Sequence, residues 1–80
     1  MKNLFLQYNT YSKDYMLSEG SALEKSQGNW VSYMNPAREI LDRIDTKRNS
    51  CLYLSSDIPL EVISELERTL KNTKVKIGRI

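Results

Sequence analysis

Few side chains in this chain of 80 residues are capable of bond-breaking chemistry. There is no histidine, which excludes a histidine general base, a Ser-His-Asp constellation and an imidazole metal ligand. Gly20, Gly28 and Gly78 are scattered, so neither a phosphate-cradling loop nor a dinucleotide fingerprint is present. Carboxylates pair twice in sequence, Asp14 with Glu19 and Asp42 with Asp45. Such pairs divide acid and base roles when their environments separate their pKa values. Both pairs stand among lysines or arginines, the pattern of solvated charge. Glu39 and Arg43, four residues apart, read as an ordinary helix-surface pair. Cys51 is the only cysteine. It permits no internal disulfide and no cysteine-based metal site, and its apolar neighbours mark a buried structural thiol. The expectation is a protein that is not an enzyme, with no cofactor and no metal.

Two constellations suit binding. The first follows from strand ends, because a parallel sheet binds ligands beyond the carboxyl ends of its strands. Tyr8 to Tyr11, Met34, Asn35, Ser55, Ser56 and Asp57 are expected there, next to two helix starts. Asn, Ser and Asp are also ordinary capping residues, and Asp57 would repel an anion at its own helix. The second is aromatic: Tyr8, Tyr11, Tyr15, Trp30, Tyr33 and Tyr53 are many for a chain of this size. Tyr8 and Trp30 are expected to help fill the core, and Tyr53 to lie in a buried strand. Tyr11 and Tyr15, in a polar stretch, are expected to be exposed, where tyrosine anchors serve protein interfaces. The expected binding residues are Tyr11, Tyr15, Asn35, Ser55 and Ser56.

The elements that position these residues are legible mainly toward the C-terminus. Cys51 to Leu54 is apolar on both faces, as in a buried parallel strand. Pro59 then opens a helix whose stripe is Ile58, Val62, Ile63, Leu66 and Leu70. Glu61 and Glu65 toward its start, with Arg68 and Lys71 toward its end, complement the macrodipole. Lys74 to Ile80 alternates as an edge strand whose lysines discourage aberrant pairing. Upstream, Asn35 and Pro36 cap and start a helix with a stripe of Ala37, Ile40, Leu41 and Ile44. Asn29 to Met34 alternates and reads as a short strand. Asn3 to Tyr11 reads as the first strand, with Leu4, Leu6 and Tyr8 on one face and Phe5 on the other. Residues 12–29 lack clear periodicity and read as a long loop or insertion, with a short element possible around Tyr15 to Leu17 or Ala22 to Lys25.

The expected fold is a single small α/β domain spanning 1–80, β-loop-β-α-β-α-β, with about four strands and two helices. At least three strands are expected to be parallel, assigned as the last three because helices connect them. Both a three-layer and a two-layer packing accommodate two helices. Leu52, Leu54, Val62, Ile63, Leu66 and Val75 are expected to share one core with Leu4, Leu6 and Ile40.

Net charge is +2, with twelve basic residues interleaved among ten acids, and mean hydropathy is −0.53. That is not the clustered basic stripe of a dedicated nucleic-acid binder. No secretory signal core and no run of ~18 apolar residues is found, so a soluble cytoplasmic protein with no membrane partner is expected. The abundance of Asn, Ser, Lys and Tyr suits an AT-rich genome, such as many bacteria, phages and mobile elements have. The expected function is binding of another protein, as a regulator, adaptor or inhibitor. The alternative is a nucleic-acid module using Lys47, Arg48, Lys74 and Lys76, with weak, salt-sensitive affinity. A small-ligand site at the strand ends ranks third.

Overall fold

A computed structural model describes residues 2–20 and 30–79. In chain order the elements are β1 (Lys2–Asn9), β2 (Asp14–Glu19), α1 (Pro36–Leu41), β3 (Ser50–Leu54), α2 (Leu60–Leu70) and β4 (Val75–Arg79). The protein is a small α/β domain with one four-stranded sheet in the order β2-β1-β3-β4. β1, β3 and β4 are parallel, and β2 runs antiparallel to β1.

The three parallel strands are therefore β1, β3 and β4, not the last three of the expected series. The second strand is β2, inside the stretch read as a loop. Its cause is a tight hairpin. The Asn9 side chain accepts from the Tyr11 N–H (2.9 Å) and the Ser12 N–H (3.3 Å), an Asx turn that reverses the chain. The Lys13 N–H donates to the Asn9 carbonyl (2.8 Å), and Lys13 adopts a left-handed φ of 63°. Asn9 then pairs with Asp14, Tyr8 with Tyr15 and Leu6 with Leu17. β1 accordingly ends at Asn9 instead of Tyr11. The expected strand over 29–34 is also absent among the described residues of that stretch. Val31 makes only an isolated bridge, exchanging two 2.8 Å backbone hydrogen bonds with Tyr15. The possible element at 22–25 lies outside the described residues.

Both helices pack on one face of the sheet. Leu4 and Leu6 of β1, Leu52 and Leu54 of β3 and Val75 of β4 fall in register on that face. They join Ile40 of α1 and Val62, Ile63, Leu66 and Leu70 of α2 in one buried cluster, as the stripes predict. A fully buried Leu or Ile contributes roughly 1.5–3 kcal/mol relative to leaving it exposed. α1 is shorter than its stripe, ending at Leu41. The chain then tightens, with Arg43 and Ile44 N–H groups donating to carbonyls three residues back, yet Ile44 remains in the core. Asn35 does not cap α1 through its side chain. Instead the Glu39 carboxylate, four residues on, reaches back to accept from the Asn35 N–H (3.0 Å).

The other sheet face carries Phe5, Met16, Cys51, Tyr53 and Gly78. Phe5 stacks on Tyr53 with centroids 5.3 Å apart. Gly78 lies directly opposite Tyr53, and a Cβ there would stand 2.9 Å from two carbons of the ring. Glycine at this position is what lets the ring lie across β4. Cys51 is half-buried, less enclosed than its apolar run suggests.

Candidate binding groove

Tyr15 lies on the helix-covered face of β2, and that placement decides its role. Its neighbours are Tyr8, with ring centroids 4.7 Å apart, and Tyr33, at 6.0 Å. Arg43 stands over Tyr33, its guanidinium carbon 5.6 Å from the centroid. The bridge to Val31 lays the chain before α1 alongside β2. Tyr15 is consequently only 3% exposed, whereas Tyr11, at the tip of the hairpin, is 98% exposed. The expectation that both tyrosines are exposed fails for Tyr15. Trp30, expected to help fill the core, is 42% exposed.

Burial pushes the Tyr15 phenol above its ordinary value of 10.0, and nearby Tyr8 and Glu61 act in the same direction. The folded chain thus holds this proton more tightly than the unfolded chain does. That contribution is fully present below the unfolded pKa, near 10.0, and is lost as pH rises through the higher folded value. Stability should therefore decline on the alkaline side, and Tyr15→Phe, which keeps the ring and removes the titrating group, should flatten the decline. Denaturant unfolding across that range, run on both proteins, measures it. Identical alkaline slopes would place the titration on another group.

One rim of Tyr15 opens into a groove of about 800 Å³ between the two helices. Asn35, Ala37, Leu41 and Asp42 line it on the α1 side, and Glu61, Val62, Glu65 and Thr69 on the α2 side. The spacing explains the two walls. Glu61, Glu65 and Thr69 are four apart, so they form one stripe along α2. Ala37 with Leu41 and Arg38 with Asp42 do the same on α1. Val62 also belongs to the core, so the stripe borders the buried face of α2. Its lining combines apolar side chains with charged ones.

Two large apolar side chains next in sequence to lining residues are exposed. Met34, one residue before Asn35, is 100% exposed, and Leu60, between the lining residues Pro59 and Glu61, is 77% exposed. Leu60 falls off the buried stripe of α2.

Of the expected binding residues, Tyr15 and Asn35 come together in this groove. Tyr11, Ser55 and Ser56 do not line it. The Ser55 N–H donates to the Leu6 carbonyl (3.1 Å), extending the β1–β3 ladder, and its buried Oγ has no hydrogen-bond partner among the described residues. Ser56 is exposed. Sequence reading missed Glu61, Glu65 and Thr69 as groove residues, having assigned the carboxylates to the helix dipole. The signal for them was the polar i, i+4, i+8 stripe next to an apolar one.

Lys47, Arg48 and Lys74 gather elsewhere, at the amino ends of the parallel strands. The Lys74 N–H donates to the Thr46 carbonyl (3.4 Å) and the Ser50 N–H to the Lys74 carbonyl (3.2 Å). Arg48 is engaged with Asp45 at 3.8 Å. Lys76 pairs in register with Cys51, on the sheet face away from the helices. The basic candidates are thus split between an end and a face. Among the described residues no group of three or more Cys, Asp or Glu side chains is placed to hold a metal ion, and no helix is long and apolar enough to cross a membrane.

No protein-family model, no curated protein and no solved structure matches the chain.

Proposed function

We propose that this chain is a small non-catalytic protein that acts by binding another protein along the groove between α1 and α2. The observation that carries the reading is the groove itself, an open concavity between the two helices that exposes part of Pro36 and Leu41 beside the core residue Val62. Concave, partly apolar surface between helices is where partners and ligands commonly dock, and Met34 and Leu60 are exposed next in sequence to its lining residues. Methionine adapts its shape to varied partners. The lack of histidine supports a binding role over a catalytic one. A regulator, adaptor or inhibitor within a cytoplasmic setting fits a domain of this size.

The test is affinity capture from the native host, with nuclease treatment, using the natural chain and a Met34→Ser/Leu60→Ser variant. A protein captured despite nuclease and lost with the variant is the expected result. Both substitutions are at exposed positions, so folding should change by less than about 0.5 kcal/mol. Capture that survives the variant unchanged, and also survives Leu41→Ser at a groove-lining position, would move the interface away from the groove.

The second reading, nucleic-acid binding, is favoured by the convergence of Lys47, Arg48 and Lys74 at one end of the sheet. Few phosphates could be neutralised there, so affinity would be weak and steeply salt-dependent. In the same experiment it appears as nuclease-sensitive capture abolished by Lys47→Glu/Arg48→Glu and indifferent to Leu60.

A further inference from the structure

The charge of the groove runs against the charge of the chain. The protein carries +2 overall, yet the groove is lined by Asp42, Glu61 and Glu65 against Arg38 alone, or −2, which the Arg68 guanidinium paired with Glu65 from outside reduces to −1. Glu65 is held by Arg68 from the outer surface of α2. Asp42 and Glu61 have no ion-pair partner among the described residues. An occupant covering this groove takes those carboxylates out of water, which is costly unless it brings compensating positive charge.

Geometry narrows the occupant further. Glu61 and Glu65 are one turn apart on α2, about 6 Å along the axis, and Thr69 continues the same wall by another turn. A helix carrying cations four residues apart presents them at that repeat. The apolar lining residues Pro36, Leu41 and Val62 take an apolar stripe. α2 has eleven residues, so contact extends over roughly three turns.

We propose that the groove receives a short basic amphipathic helical segment of the partner protein, its lysines or arginines facing Glu61 and Glu65; this rests on the groove being the docking site. The net positive charge of the chain repels such a segment at long range. The attraction is therefore local to the groove and disappears with its carboxylates.

The probe is a helical peptide of about 14 residues with leucines on one face and lysines at i, i+4 beside them, compared with the same peptide carrying glutamates for lysines. Each is titrated into the isotope-labelled full chain and followed by backbone amide NMR. The lysine peptide should shift the amides of Asn35, Leu41, Val62 and Thr69. Its affinity should fall at least ~10-fold in Glu61→Lys/Glu65→Lys, which should in turn gain the glutamate peptide. Neither position is buried, and an unchanged spectrum outside the groove confirms that the variant folds. Equal binding of both peptides, or binding indifferent to the charge reversal, overturns the basic occupant while leaving the groove as a docking site. Shifts confined to other surfaces, or none, overturn both. Groove shifts that grow with protein concentration alone identify a second copy as the occupant and overturn the proposal.

Discussion

Replacing Tyr15 by Ala is expected to destabilise the fold by about 3–5 kcal/mol, while Tyr11→Ala leaves the melting temperature nearly unchanged. The two tyrosines are four residues apart across one hairpin, and their environments are opposite. Tyr11 sits at the tip with almost its whole side chain in water. Tyr15 is packed between Tyr8 and Tyr33 within the buried cluster. Its loss removes ring contacts on both sides and opens a cavity under the segment that precedes α1. Aromatic pairs of this kind add about 0.5–1.5 kcal/mol beyond area burial, so Tyr15→Phe should recover most of the stability. Chemical denaturation of the three variants measures the difference. A Tyr15→Ala protein as stable as Tyr11→Ala would mean that the hairpin does not pack against α1 and α2. Because Tyr15 supports the groove as well as lining it, Tyr15→Ala is a poor probe of partner binding, and Leu60 and Met34 are the cleaner positions.

The second half of the chain was legible because its signals are local. Cys51 to Leu54, the proline before α2, the helical stripe through Leu66 and Leu70, and the alternating β4 each declare themselves within a few residues. The first half depends on a pairing that no short window contains. β2 reads as polar and aperiodic because Asp14, Ser18 and Glu19 dilute it, and only the Asn9 turn gives it a partner strand. Conversely, Trp30 to Met34 alternates as a strand does, but has only one bridge to β2. The site divides along the same line. Asn35 was singled out at a strand end and helix start, and Tyr15 as an exposed tyrosine of a loop; both line the groove, but Tyr15 does so as a buried strand residue. Their neighbours on α2 were not, because the sequence specifies which face of α2 is buried but not which helix stands beside it. The two layers, the sheet order and the convergence of Lys47, Arg48 and Lys74 are likewise long-range facts.

Leu66→Ala is the second large effect, expected to cost about 2–5 kcal/mol. Leu66 is fully buried at the middle of the α2 stripe, within the cluster that holds Leu6, Ile40 and Leu52. Two layers alone enclose this core, so truncation leaves a void that only small shifts of α2 can fill. For 80 residues, total stability at roughly 0.05–0.15 kcal/mol per residue is about 4–12 kcal/mol. The upper half of the expected loss therefore unfolds much of the protein at ambient temperature if the domain lies near the lower bound. Leu60→Ala is the matched control, the same chemical change on the same helix at a position facing solvent. It should alter stability by less than about 0.5 kcal/mol while weakening capture of the partner. Thermal melts of the pair thus separate what α2 does for the fold from what it does for binding. Equal melting temperatures would show that the stripe is not buried on the sheet, and with it the groove between the helices would lose its α2 wall.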